Sequence, residues 1–112
     1  MRTAYAKLMT HTLTIRKRGR NFTGDFSDIM TYAGKKGFIQ YGKKLVTNRK
    51  GEEVLASAIV FLRNDSPIDP EYEYWMIDQT SPYTREDMEV IRVDPIDDPR
   101  TGRTDHYEVA VR

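Results

Sequence analysis

The sequence predicts an all-β fold, a small antiparallel β-barrel of five to six short strands with long loops. Three observations carry this. Apolar and polar residues alternate in several short runs, the period of a half-buried strand. Those runs are rich in Val, Ile, Thr, Tyr and Phe, which suit a pleated surface. Gly, Pro, Asn and Asp punctuate them, and no long amphipathic helix pattern intervenes. A barrel is favoured because 112 residues are too few for two full sheets and closure hides strand edges.

The elements follow in order. Residues 1–10 form an N-terminal arm, either one helical turn or an extended stretch. Residues 11–17 form the first strand, with Leu13 and Ile15 on one face and Thr12, Thr14 and Arg16 on the other. Residues 18–35 hold Gly19, Gly24 and Gly34 with Asn21, Asp25 and Asp28, the composition of a long loop. A short strand near 29–32 is one option within it. Next comes a hairpin: 37–47, the turn Asn48-Arg49-Lys50-Gly51, and 53–62. Four residues ending in Gly fit a type I turn closed by a left-handed residue.

In the second arm Val54, Ala56, Ala58, Val60 and Leu62 share one face, and Leu55, Ser57, Ile59 and Phe61 the other. Both faces are largely apolar, which predicts a strand either central in the sheet or covered on both sides. Residues 64–70 break the pattern with two prolines and two aspartates. Strand character returns over 71–78, followed by a polar loop at 80–87 around Pro82. A strand at 88–94, a Pro/Asp/Gly loop at 95–103 and a last strand at 104–112 complete a single domain over residues 1–112. The Gly-Lys-Lys triplets at 34–36 and 42–44 are too short to mark a repeat.

Charge is distributed unevenly. The net charge is +1, yet residues 1–50 hold twelve Lys/Arg and two Asp/Glu, and residues 51–112 hold six and fifteen. Such a split suggests either nucleic-acid contact by the basic half or two complementary faces of one subunit. The third option is that the halves intermingle once folded. Hydrophobic content is 38%, so the core is thin and oligomerisation is expected to complete burial. Cysteine is absent, which excludes disulfides, a thiol nucleophile and cysteine-based metal sites. No apolar run approaches the roughly 20 residues of a membrane helix, and residues 1–8 lack a signal-peptide core. A soluble cytoplasmic protein is the expectation, and Asn21-Phe22-Thr23 reads as a chance glycosylation match.

Chemistry-bearing motifs are sparse. His11 and His106 lie at opposite ends of the sequence and show no ligand spacing, so no metal is expected. Carboxylates such as Asp97-Asp98 are abundant but unconnected to a base or nucleophile, so neither an enzyme nor a cofactor is expected. The Gly-Lys-Lys triplets lack phosphate-loop spacing. Nucleic-acid contact is the more serious reading. Arg16, Lys17, Arg18, Arg20, Lys35, Lys36, Lys43, Lys44, Arg49 and Lys50 are interleaved with Phe22, Tyr32, Phe38 and Tyr41, a mixture of cations and rings that single-strand binders use. The bland reading is that the rings face the core and the lysines protect strand edges.

One combination of segments resembles a known family. Leu13-Thr14-Ile15-Arg16 precedes a Gly-rich stretch. The hairpin Val46-Thr47-Asn48-Arg49-Lys50-Gly51-Glu52-Glu53-Val54 runs into Ala56-Ser57-Ala58-Ile59-Val60-Phe61-Leu62. Then come Pro67-Ile68, a Trp/Ile strand, Val90-Ile91-Arg92-Val93 and the ending Asp105-His106-Tyr107-Glu108-Val109. Over residues 11–112 this order resembles the head-closure (head–tail joining, or stopper) proteins of tailed bacteriophages. Glu71-Tyr72-Glu73-Tyr74 stands where such proteins often have a Gly-Asp pair. The resemblance implies a small β-barrel, dodecameric in the virion neck after assembly in the bacterial host cytoplasm. It implies portal/adaptor and tail proteins as partners, non-specific contact with packaged double-stranded DNA, and no membrane. On that expectation the ten basic residues named above contact DNA or a neighbouring ring. Glu86, Asp87, Asp97, Asp98, Arg100 and Arg103, in loops expected near 80–87 and 94–105, dock a partner. A small nucleic-acid-binding barrel is the alternative.

Overall fold

The computed structural model describes residues 9–20, 23–72, 74–80 and 85–112, with the backbone alone at 80 and 85–87. Most of the expected arm, the Asn21-Phe22-Thr23 match and the Pro82 connection lie outside the described residues. Six antiparallel strands form one closed sheet: β1 (His11–Arg20), β2 (Phe26–Thr47), β3 (Glu53–Arg63), β4 (Trp75–Thr80), β5 (Arg85–Asp97) and β6 (Thr104–Val111). Around the sheet the order is β1-β2-β3-β6-β5-β4, closing back on β1.

The strands are longer than expected. Residues 18–35 are not a long loop: β1 runs on to Arg20, and β2 starts at Phe26 and continues for 22 residues. The glycines mislead in different ways: Gly24 lies between the two strands, Gly19 pairs regularly with Ser27, and Gly34 is a bulge residue within β2. Leu13 pairs with Lys35 and Ile15 with Tyr32, so β2 carries one extra residue there, and Gly34 takes φ +69°. Tyr41 pairs with Ala58 and Lys44 with Ala56, with Gly42 in the matching position. Both Gly-Lys-Lys triplets therefore open at a bulge. A third register shift leaves Ile29 as the extra residue between the pairs Lys17–Met30 and Arg18–Asp28.

These bends let β2 serve two neighbours. Its first half pairs with β1, its second half with β3, and Gly37 alone pairs with both His11 and Leu62. A Cβ at Gly37 would sit 2.6 Å from Leu13 Cδ1 and 2.8 Å from the Phe61 carbonyl oxygen. Only glycine fits without backbone movement.

The hairpin turn forms as expected. Asn48 Oδ1 accepts hydrogen bonds from the amides of Lys50 and Glu52, each 2.9 Å long, and Gly51 is left-handed at φ +83°. The prediction for β3 holds for one face only. Ala56, Ala58, Val60 and Leu62 are fully buried, whereas Leu55 is 50% exposed. Nothing among the described residues covers that outer face around Leu55 and its cross-strand partner Leu45.

In the second half of the chain, β4 begins later than expected, at Trp75, and residues 64–72 form a loop before it. β5 is longer than expected at both ends, so 85–87 and 95–97 are strand rather than loop. Pro95 fits because this part of β5 pairs on one side only, with β6. A register shift between Ile96 and Asp97 leaves Asp105 unpaired on β6, and Asp105 and His106 are consecutively buried.

Leu13, Ile15, Ile39, Val60, Leu62, Trp75, Ile77, Val109 and Val111 form the centre of the core. Trp75 Nε1 donates to the Asp69 carbonyl, which fixes the 64–72 loop over one end. Gly37→Ala is expected to cost about 1–3 kcal/mol through overpacking against backbone. Gly19→Ala meets only the flexible end of Ile29 and is expected to cost less. Urea unfolding of both variants checks the order; a Gly37→Ala protein as stable as the parent would remove the crossing-point argument.

Candidate functional site

The charge split survives folding as two arcs of the closed sheet. Adjacent strands β1 and β2 carry eight Lys/Arg and one Asp, and the contiguous β3, β6, β5 and β4 carry three Arg and nine Asp/Glu. The arcs meet at two seams, β2/β3 and β1/β4.

Several cations of the basic arc are engaged within the chain. Arg16 Nε donates to Asp78 Oδ2 at 2.6 Å, and Nη1 donates to Asp28 at 3.2 Å. Asp78 has a side chain only 3% exposed, so Arg16 closes the β1/β4 seam by neutralising a buried carboxylate. The hydrogen bond to Asp78 raises the Arg16 pKa, outweighing desolvation, with the Asp78 and Asp28 charges adding to it. Arg18 Nε stands 3.3 Å from Asp28 Oδ1, although not aligned for a hydrogen bond. Lys17 lies over the Tyr72 ring at 4.4 Å and Arg20 over Phe26 at 5.1 Å.

Arg49 is a latch. Its guanidinium donates to three successive carbonyls: Pro70, Glu71 at 2.9 Å and Tyr72 at 3.3 Å. It ties the β2–β3 turn to the 64–72 loop. Arg92 adds a bond to the Thr47 carbonyl at 3.3 Å.

The lysines are more available. Lys36 donates to Thr12 Oγ1 but is exposed, and Lys35 lines a cleft of about 180 Å³ with Arg63, Asp65 and Ser66. Lys43, Lys44 and Lys50 are exposed on and beside the β2–β3 hairpin. Exposed lysine beside a bulge blunts an open strand edge, so these residues have a structural role as well.

The expected docking residues divide. Glu86 and Asp87 lie on β5 opposite Gln79 and Asp78, and their side chains are outside the described residues. Asp97 accepts from Thr104 Oγ1 at 3.5 Å. Asp98 is the keystone of the β5–β6 turn. Its Oδ1 accepts from the Arg100 amide at 2.9 Å, its own amide donates to the Arg103 carbonyl at 2.7 Å, and Oδ2 pairs with Arg100 Nη2. Arg103 is exposed. The loop available for docking is 98–103, shorter than the 94–105 expected.

Three features were not anticipated. Rings of His11, Phe38, Phe61 and His106 form a run across β1, β2, β3 and β6, with centroids 5.1, 6.4 and 6.2 Å apart. His11 Nδ1 accepts the Ile39 amide at 3.0 Å. His106 is 2% exposed and lies 2.9 Å from Asp105 and 3.5 Å from Glu108. The two histidines are thus linked through rings, not through direct pairing of the terminal strands. Last, Arg18, Phe26, Tyr74, Trp75, Met76, Glu89 and Val90 line a groove of about 320 Å³ beside the β1–β2 hairpin. Phe26 and Tyr74 meet edge to face at 4.9 Å. Alternation in 53–62 does signal the outward Phe61, but nothing in the sequence pairs it with Phe38.

Among the described residues, no group of three or more His, Asp or Glu is placed to hold a metal ion. Comparison with protein-family models, curated proteins and solved structures finds no match.

Arg16→Met is expected to lower stability by about 1–3 kcal/mol, since it removes a charged partner from buried Asp78. Lys43→Met, at an exposed site, is expected to change it by less than about 0.5 kcal/mol. Equal effects in urea titrations would erase the distinction between structural and available cations.

Proposed function

We propose that this chain is a structural subunit of a tailed-bacteriophage neck. It is read as a small antiparallel β-barrel that forms a ring, dodecameric in the virion, below the portal and adaptor. The ring retains packaged double-stranded DNA and offers the tail its attachment face. The observation that carries the reading is the segregation of charge into two contiguous arcs of the closed sheet. A subunit with a basic and an acidic flank docks head-to-tail on its own copies, and heterologous contacts of that kind close into rings. Complementary charge sets register and encounter rate more than affinity. The order of sequence segments over 11–112 supports the same reading.

In this scheme Lys35, Lys36, Lys43, Lys44 and Lys50 supply sequence-independent attraction to phosphate or to acidic rims, weakened by salt. The turn at 98–103, with Arg100 and Arg103, and the acidic strand positions Glu86, Asp87 and Asp97 face other neck proteins. A nucleic-acid-binding barrel is favoured by one observation, the 56% exposed Tyr41 close in sequence to Lys43 and Lys44. The two readings separate by experiment. A neck subunit forms rings visible by electron microscopy on DNA-filled, tailless capsids carrying portal and adaptor. A binding barrel instead binds oligonucleotides as a monomer with a steep salt dependence. Charge reversal at Lys35 and Lys36 is expected to impair DNA retention or docking; undiminished assembly of infectious particles would overturn that role.

A further inference from the structure

The β1–β2 hairpin projects beyond the closed sheet and presents different chemistry on its two faces. On one face, Ile29 is the unpaired residue of a bulge and lies against Gly19, where a side chain would collide with it. Ile29 is 57% exposed and the adjacent Met30 is 49% exposed, an apolar knob with Lys17 paired directly to Met30. On the opposite face of β1, Arg18 lines a groove with Phe26, Tyr74, Met76, Glu89 and Val90. The Glu89 carboxylate is 60% exposed and stands 3.6 Å from Arg112 Nε. Isolated apolar residues on a surface need no explanation; an aliphatic knob on the β1–β2 hairpin and an aromatic-lined groove between that hairpin, β4 and β5 do.

We propose that the knob of one copy seats in the groove of the next, so that the hairpins stack head-to-tail. The occupant is a second copy of this chain, for three reasons. The groove, at about 320 Å³, has room for two aliphatic side chains. Lys17, the cation beside the knob, is brought to Glu89 in the groove lining, an exposed carboxylate that it shares with the exposed Arg112, while Arg18 in the same lining is met by Asp28 at 3.3 Å. Lys17 beside the knob and Arg18 in the groove are consecutive on β1 and point to opposite faces, so a copy that accepts a neighbour still offers its own knob to another. Such a contact is heterologous and propagates until it closes. Closure into a ring rests on the neck reading; the contact between two copies stands without it.

The contact is small beside a standard protein interface, which places free copies in weak exchange and leaves firm closure to a template. Ile29 and Met30 become the anchors, with Phe26 and Tyr74 as the walls that exclude water.

Because the chain contains no cysteine, single cysteines report the contact cleanly. Ile29→Cys and Met76→Cys proteins, each checked for native circular dichroism, are oxidised alone and as an equal mixture. Head-to-tail seating predicts disulfide-linked heterodimers forming roughly tenfold faster in the mixture than homodimers form in either protein alone, since association raises the effective concentration of the two thiols. A chain bearing both substitutions should give a ladder of linked oligomers. A random proportion of homo- and heterodimers overturns the proposal, as does a double variant that stops at dimers. If the heterodimer forms while the intact protein fails to assemble on portal–adaptor particles, the contact stands and the neck reading falls.

Discussion

The closed sheet depends on one crossing, where β2 leaves β1 and joins β3. Gly37 is the only residue of β2 paired on both sides, and its missing side chain is the space that Leu13, Leu62 and the Phe61 carbonyl occupy. A bulge on each side of the crossing bends the strand without breaking it. One strand thus spans two seams of the sheet, and six strands suffice to surround a core of modest size. The arrangement also has a geometric cost. Each half of β2 has only one described strand beside it, so its ends project as hairpins: the β1–β2 hairpin with its knob and groove, and the β2–β3 hairpin latched by Arg49. Both projecting hairpins follow from the same bend that makes closure possible.

Electrostatics act at two scales. At short range the arginines are cross-links: Arg16 holds β4 to β1, Arg49 holds the β2–β3 turn to the loop before β4, and Arg100 completes a turn with Asp98. The Arg16–Asp78 pair matters most, because removing a charged partner from a buried carboxylate is more costly than losing an exposed ion pair. At long range the lysines set the field. They have long, hydrated stems, they sit at bulges and turns, and few are tied to carboxylates. The division is chemical: Arg16, Arg49 and Arg92, with their planar forks, are spent on carbonyls and carboxylates inside the chain, and Lys36, Lys43, Lys44 and Lys50 are left to face outward. A basic run in a sequence is therefore a poor guide to a binding surface until its arginines have been assigned.

The legible parts of the fold are those with unbroken alternation. The hairpin around Asn48 and Gly51, the buried face Ala56-Ala58-Val60-Leu62 and the terminal strand all follow from period-two patterning and turn chemistry. Residues 26–36 are illegible because two register shifts fall within them. Glycine at 34 looks like punctuation, and a bulge at Ile29 destroys the alternation that would have revealed a strand. The same effect hides the burial of Asp105 and His106, since an unpaired residue puts two neighbours inward. At the candidate site, the individual cations were visible but their partners were not. Asp28 and Asp78 reach Arg16 from separations of 12 and 62 residues, and no local pattern encodes such a meeting. The groove was invisible for a similar reason, being assembled from β1, β2, β4 and β5.

The 62-residue reach from Arg16 to Asp78 has a consequence for synthesis. The meander β1-β2-β3 leaves the ribosome well before the strands that close it. Until β4 and β6 emerge, Leu13, Ile15, Ile39, Val60 and Leu62 lie on the uncovered side of a three-stranded sheet. Pairing across so long a separation carries a loop-closure penalty and comes late in folding. During that interval the bulged, lysine-bearing stretches of β2 keep nascent chains apart, because a kinked and charged edge is a poor template for another strand. The two Gly-Lys-Lys triplets thus serve the fold itself, as bulged and charged positions along the edges of β2.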